Sequence, residues 1–385
     1  MPEDYDLDAA IVHPNRVCEI HLHFSSSQLQ RLAAAMQKPF PALVQLTLET
    51  LTDSPPPPAL PDGFLGGSAP RLQYLELNRI PFPALPGLLL SATSLVHLTL
   101  RNIPDSGYIS PEVIVTHLVM LANLESLYID FEYPLLLPDI DSRRPPLPTH
   151  KVLPALTRFQ FYGTSDYLED LVARINAPVL DSIQIPFCHL LISDIPQLAQ
   201  FMRRTTRFQT LNEAHVDFGY YGLVVRSLSL PWIPDKKSGL IISCVDDDWQ
   251  FSSLEPVFMA FFPSIFMVEH LYIHATALLH DDLEEMQLLE LFPAFATVKN
   301  FYVHMEFAEL LAPILQELVE EIATDVLPAL RNLCLEGVQP SEPLREALGQ
   351  FVSARRLIGH PVAISYRNWV EESREVSSRR LSHRV

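Results

Sequence analysis

One short phrase, recurring at a nearly fixed interval, constrains this chain more than any other feature. Val268-Glu269-His270-Leu271-Tyr272-Ile273, Val298-Lys299-Asn300-Phe301-Tyr302-Val303 and Leu330-Arg331-Asn332-Leu333-Cys334-Leu335 each read apolar-x-x-apolar-x-apolar. They start 30 and 32 residues apart, with a helix-like segment between each pair. A fixed period of about 20–50 residues marks a repeat architecture, in which each unit buries its apolar side only against its neighbours.

The phrase runs back along nearly the whole chain. Copies start at Val17, Leu43, Leu72, Leu95, Leu124, Leu156 and Leu180, and degraded copies lie near Phe208 and Leu240. That makes twelve units with start-to-start spacings between 23 and 32 residues. Helix starts fall between the phrases. Ser110-Pro111-Glu112 pairs a capping serine with a first-turn proline, and Ser341-Glu342-Pro343 and Asp194-Ile195-Pro196 read alike. Ser27-Gln28-Leu29-Gln30 reads as a capping box, followed by an apolar stripe of Leu29, Leu32, Ala33 and Met36. Ser253-Leu254-Glu255 and Asp281-Asp282-Leu283-Glu284 are further candidate starts. Strands alternating with right-handed helical crossovers give a parallel sheet. The expected core stack is Leu46, Leu75, Leu98, Leu127, Ile183, Leu271, Phe301 and Leu333, in one continuous parallel sheet.

Residues 1–16 form a polar lead, 17–370 the repeat array, and 371–385 a mixed-charge, serine-rich tail expected to fray. The proline-rich stretches 52–68 and 134–149 read as extended loops in place of helices. The formal charge is −19, which repels phosphate backbones and anionic lipid surfaces, so neither nucleic acid nor membrane is an expected partner. The four cysteines (Cys18, Cys188, Cys244, Cys334) are far apart and read as free thiols. Met1 to Asp8 is acidic, unlike a signal or transit peptide, and Val257 to Val268 is too short to span a bilayer. An intracellular location, cytoplasmic or nuclear, follows as the expectation.

The phrase is half of the leucine-rich-repeat signature, whose closing position is held here by Leu51, Ile80, Ile103, Cys188 and Val338 in place of asparagine. The expected fold is therefore α/β: a leucine-rich-repeat-like solenoid of about twelve irregular repeats, its parallel sheet lining the concave face and helices or loops the convex one. The chain further resembles fungal F-box/leucine-rich-repeat-like proteins. The carrying stretches are Phe40-Pro41-Ala42-Leu43, Gly239-Leu240-Ile241-Ile242-Ser243-Cys244, Asp248-Trp249-Gln250-Phe251-Ser252-Ser253-Leu254, Val268 to Ile273, and Arg355-Arg356-Leu357-Ile358-Gly359-His360-Pro361-Val362. The resemblance implies the substrate-recognition part of an SCF-type ubiquitin ligase. The F-box of such proteins is a module of roughly 45 residues. Here the first phrase begins at Val17.

No catalytic phrase is present: the P-loop, Gly-x-Ser-x-Gly and His-Glu-x-x-His patterns are missing, and no enzyme activity or cofactor is expected. Candidate function lies instead on the residues between the apolar positions, which point away from the core. In register, the last three units give the rows His270–Asn300–Asn332, Tyr272–Tyr302–Cys334 and His274–His304–Glu336. Two histidines and a glutamate are also a donor set that zinc accepts. The reading carried forward is a polar and aromatic protein-binding face of His270, Tyr272, His274, Asn300, Tyr302, His304 and Glu336, with metal absent. His97, Arg101, Tyr128 and Asp130 share the face in the N-terminal half. Asp246-Asp247-Asp248 and Asp281–Glu285 read as solvated faces or caps.

Overall fold

The structure, a computed structural model, describes residues 13–51, 58–132, 150–187, 195–208, 212–219, 222–228, 239–244, 268–275, 292–320, 326–337 and 340–367. The chain divides into two compact units: residues 1–187 with 196–207, and residues 188–195 with 208–385.

In the first unit, seven described strands form a parallel sheet in the order β1 (Glu19–Phe24), β2 (Gln45–Thr50), β3 (Tyr74–Asn78), β4 (His97–Ile103), β5 (Ser126–Phe131), β7 (Arg158–Tyr162) and β9 (Ser182–Phe187). Each strand begins two residues into its phrase. From β2 onward its first apolar residue is buried ahead of the strand, whereas Val17 ahead of β1 is half-buried, and the second and third point inward along the strand. Leu46, Leu75, Leu98, Leu127, Phe159 and Ile183 are consecutive register partners and are fully buried. Described helices are α1 (Ser26–Ala35), α2 (Leu85–Ser91), α3 (Pro111–Leu118), α4 (Ser165–Val172) and α5 (Pro196–Arg204). α3 packs on α2 and on α4, and α4 on α5. The stripe Leu29, Leu32, Ala33 and Met36 is buried as expected.

Two capping details differ from expectation or extend it. The box on α1 belongs to Ser25, whose N–H donates to Gln28 Oε1 at 2.9 Å. A run of three serines made the cap ambiguous by two residues. The start of α5 is capped from outside its own segment: the Glu169 carboxylate on α4 accepts the N–H groups of Gln197 and Leu198 at 2.8 Å each. Such a carboxylate satisfies orphan donors and complements the helix dipole together. A small parallel pair, β6 (Lys151–Val152) with β8 (Ile175–Asn176), lies apart from the main sheet. Within the 52–68 stretch, Phe64–Gly67 is a 3-10 turn with positive φ at Leu65, Gly66 and Gly67, tighter than the extended loop expected.

In the second unit the described strand order is β12 (Gly239–Cys244), β11 (Gly222–Leu228), β10 (Glu213–Gly219), β13 (His270–Ala275), β14 (Asn300–His304), β15 (Asn332–Glu336) and β16 (Ala363–Arg367). From β10 to β16 the pairing is parallel. The expectation of an all-parallel sheet fails between β10 and β12, which form an antiparallel meander. Gly219 stands opposite Gly222, leaving two residues to reverse the chain. A two-residue reversal permits only antiparallel pairing, because a parallel return needs a crossover of a dozen or more residues. α6 (Met305–Glu320) packs on β13 and β14 and on α7 (Glu342–Leu357). Arg355 of α7 is fully buried, its guanidinium donating to the carbonyl of Leu327 at 3.1 Å and of Val326 at 3.5 Å.

The helix starts at Ser253 and Asp281, the aspartates 246–248, the loop 134–149 and the tail 371–385 lie outside the described residues, as do Cys188 and Val338. Among described helices, none is long and apolar enough to cross a membrane.

Candidate functional site

The open face of the second unit carries every candidate site residue. Register places Glu213, His270, Asn300, Asn332 and Ala363 in one row, His215, Tyr272, Tyr302, Cys334 and Ser365 in the next, and Asp217, His274, His304, Glu336 and Arg367 in the third. Their inward neighbours Ala214, Leu271, Phe301 and Leu333 are buried. Strands ~4.8 Å apart bring like side chains to contact distance across the sheet.

The middle row is a stack of planar groups. The His215 and Tyr272 rings lie 4.4 Å apart at 3°, and Tyr272 and Tyr302 lie 4.2 Å apart at 6°. The Arg367 guanidinium lies over Tyr302, 5.4 Å from the ring centre. Arg367 reaches that place from β16, two strands away, so its stem crosses β15. Cys334 beneath is only 3% exposed. Both faces of Tyr272 are therefore covered by rings, and both tyrosines are half-buried. Burial pushes the Tyr272 hydroxyl well above its ordinary pKa, and Tyr302 and Glu213 push the same way. Burial also raises Tyr302, and Arg367 opposes that rise.

The flanking rows are polar. His270 Nδ1 lies 3.3 Å from the Tyr302 hydroxyl, and Asn332 Nδ2 donates to Asn300 Oδ1 at 2.7 Å. The His274 and His304 rings are 5.9 Å apart, and His215 lies parallel to His274 at 6.0 Å. Among the described residues, no three or more His, Cys, Asp or Glu side chains converge as a metal set, so His274, His304 and Glu336 do not form the zinc site their types allow. Just before the strands, Lys299 pairs with Glu269 and holds its carboxyl below the usual range.

The sequence reading missed His215 and Arg367. The signals were present but weak. Register aligns Ala214 and Val216 with Leu271 and Ile273, so the eighth phrase is Leu211-x-x-Ala214-x-Val216, three residues later than the copy placed near Phe208. A thirteenth, Pro361-x-x-Ile364-x-Tyr366, carries β16.

The open face of the first unit brings together His97, Arg101, Tyr128 and Asp130. Arg101 lies 5.0 Å over the Tyr128 ring and 3.7 Å from Glu76, which accepts from the Tyr74 hydroxyl at 2.9 Å. Tyr74 meets His97 at 5.7 Å, and Tyr128 meets Tyr162 at 5.5 Å. Beside them runs a hydrogen-bonded ladder. Asn102 Nδ2 donates to Asn78 Oδ1 at 2.9 Å, Asn78 Nδ2 donates to Glu49 Oε1 at 3.0 Å, and His23 Nδ1 lies 2.8 Å from Glu49 Oε2. Burial raises the Asp130 carboxyl above its ordinary value, against the Asn102 N–H, the Tyr128 hydroxyl and Arg101.

No protein-family model matches the chain. No curated protein matches it either. Among solved structures, it is similar to the leucine-rich-repeat-containing protein LegL7 from Legionella pneumophila, at 12% identity and a TM-score of 0.32, over 91% of this chain and 95% of that one. So distant a likeness bears no weight for function.

Proposed function

We propose that the chain is a protein-interaction scaffold of the leucine-rich-repeat kind over residues 17–370, acting inside the cell, whose partner seats on the open face of the second unit. It works by binding and not by catalysis. The observation that carries this reading is the in-register stack of His215, Tyr272 and Tyr302, set between rows of histidine, asparagine and carboxylate. Rigid rings with few rotatable bonds lose little entropy on contact, and the flanking polar groups supply hydrogen bonds. The contact centre comprises His270, Tyr272, His274, Asn300, Tyr302, His304 and Glu336. Imidazoles in such a contact make binding respond to pH near neutrality.

A photo-reactive phenylalanine analogue placed at Asn332, whose side chain is exposed, tests the site. The partner is expected to cross-link there and not when the analogue stands at Glu19, on the first unit. Equal yields at both positions remove this face from consideration. The finer reading, the substrate-recognition part of an SCF-type ubiquitin ligase, is supported by the stretches around Gly239, Val268 and Arg355. A stand-alone interaction role is the alternative. Binding of the full-length protein to a purified ligase scaffold separates the two.

A further inference from the structure

In both units one of the chain's own arginines lies over a tyrosine of the open face: Arg101 over Tyr128, and Arg367 over Tyr302. The two are held differently. Arg101 comes from the strand beside its tyrosine and has Glu76 at 3.7 Å. Arg367 comes from β16, the end strand of the described sheet, whose residues are exposed or half-exposed throughout. Elements with few buried contacts open first. The ring faces also differ in access. Tyr272 is enclosed by His215 and Tyr302, both from strands paired on each side. The Tyr302 face under Arg367 is the one member of the stack whose cover comes from an end strand.

We infer that this Tyr302 face receives an arginine side chain from an extended segment of the protein partner, with Arg367 holding the place of that guanidinium in the free chain. The inference rests on the scaffold reading above and names the partner's chemistry. Three features favour arginine. A planar guanidinium stacks on a ring, whereas an ammonium does so less well. Glu213, Asp217 and Glu336 edge the stack, and the charge of Glu336 is felt at both tyrosines. The chain as a whole carries −19, which draws cationic segments toward it.

Fluorescence anisotropy with three labelled peptides, alternating glycine with arginine, lysine or glutamate, tests this on the full chain. The arginine peptide should bind, the lysine peptide more weakly, and the glutamate peptide not at all. Arg367→Ala should strengthen arginine-peptide binding by about two- to fivefold, because the competitor is gone, and Tyr302→Leu should weaken it by a similar factor. Glu336→Gln, a milder change, should weaken it as well, so the outcome does not hang on the folding of one variant. Arginine and lysine peptides binding alike would reduce the effect to charge and overturn the inference. So would Arg367→Ala binding no better than the parent. Excess arginine peptide should also block cross-linking of the partner at Asn332. Cross-linking that persists sinks the inference and leaves the scaffold reading standing, whereas no cross-link at that position in the first place defeats the scaffold reading itself.

Discussion

On the first unit's open face, the side chains from His23 to Asn102 are held by hydrogen bonds passed from strand to strand. On the second unit's, the groups from His215 to Arg367 are held by stacked planes. The same parallel register underlies both. A hydrogen-bonded ladder is directional, since each amide must donate one way and accept the other, and substituting any member strands its neighbours. A stack has no such polarity. Each plane needs only another plane beside it, so the end member can be exchanged without loss to the rest. The first face is thereby fixed, and the second has one exchangeable position.

The largest expected effects test whether the two cores are independent. Leu98 and Leu271 are both fully buried at the same phrase position, one in each unit. Leu98→Ala and Leu271→Ala should each cost roughly 2–5 kcal/mol. Urea melts followed by hydrogen exchange should show each loss confined to its own unit. A Leu98→Ala variant that loosens β13–β15 as much as β3–β5 would break the comparison. His97→Ala, one residue from Leu98 but on the open face, should cost no more than about 0.5 kcal/mol.

Next come the rings. Tyr272→Ala removes two stacked contacts and should cost about 2 kcal/mol, whereas Tyr272→Phe keeps both planes and should cost under about 1 kcal/mol. Near-ultraviolet circular dichroism reports the stack directly: the aromatic signal should collapse in the alanine variant and survive in the phenylalanine one.

The ladder should respond to a single amide. Asn78→Ala removes both the bond to Glu49 and the bond from Asn102, and should cost about 1–2 kcal/mol. Asn332→Ala removes one exposed bond to Asn300 and should fall within about 0.5 kcal/mol. Equal losses in thermal melts would mean that the ladder adds nothing to the first unit.

Much of this was legible in the chain itself, and the physical reason is periodicity. The spacing of Leu46, Leu75, Leu98 and Leu127 fixes which side of each strand is buried. The spacing of Leu271 and Phe301 likewise sets Tyr272 beside Tyr302 and His274 beside His304. Three things were not legible. Ala214 is a small residue in a phrase otherwise marked by large ones, so the eighth strand was displaced and His215 lost from the row. The Gly219–Gly222 reversal is a local hairpin signal that the longer period masked. Arg367 acts across two strands, and Glu169 caps α5 from a neighbouring helix. Both are contacts between segments, and no spacing within one segment encodes them.

The smallest effect concerns Asp130, where the first face departs from simple hydrogen bonding. Its carboxyl is half-buried, and burial raises its pKa above the ordinary value for aspartate. The folded unit then holds the proton over a range of pH in which the unfolded chain has released it. Stability conferred by the protonated form is full below the unfolded value, near pH 4, and declines as pH rises from there through the folded value. The ionised carboxylate is partly compensated by the Asn102 N–H, the Tyr128 hydroxyl and Arg101, and partly screened by solvent, so the decline should be shallow. Asp130→Asn removes the titration. The first unit of that variant should show a flatter stability profile from about pH 4 upward, with no loss at neutral pH. The second unit's profile should not change. A steeper profile, or a loss of stability at neutral pH, would mean that the carboxylate is the form the ladder requires. Asp130 would then be a fixed acceptor like Glu49.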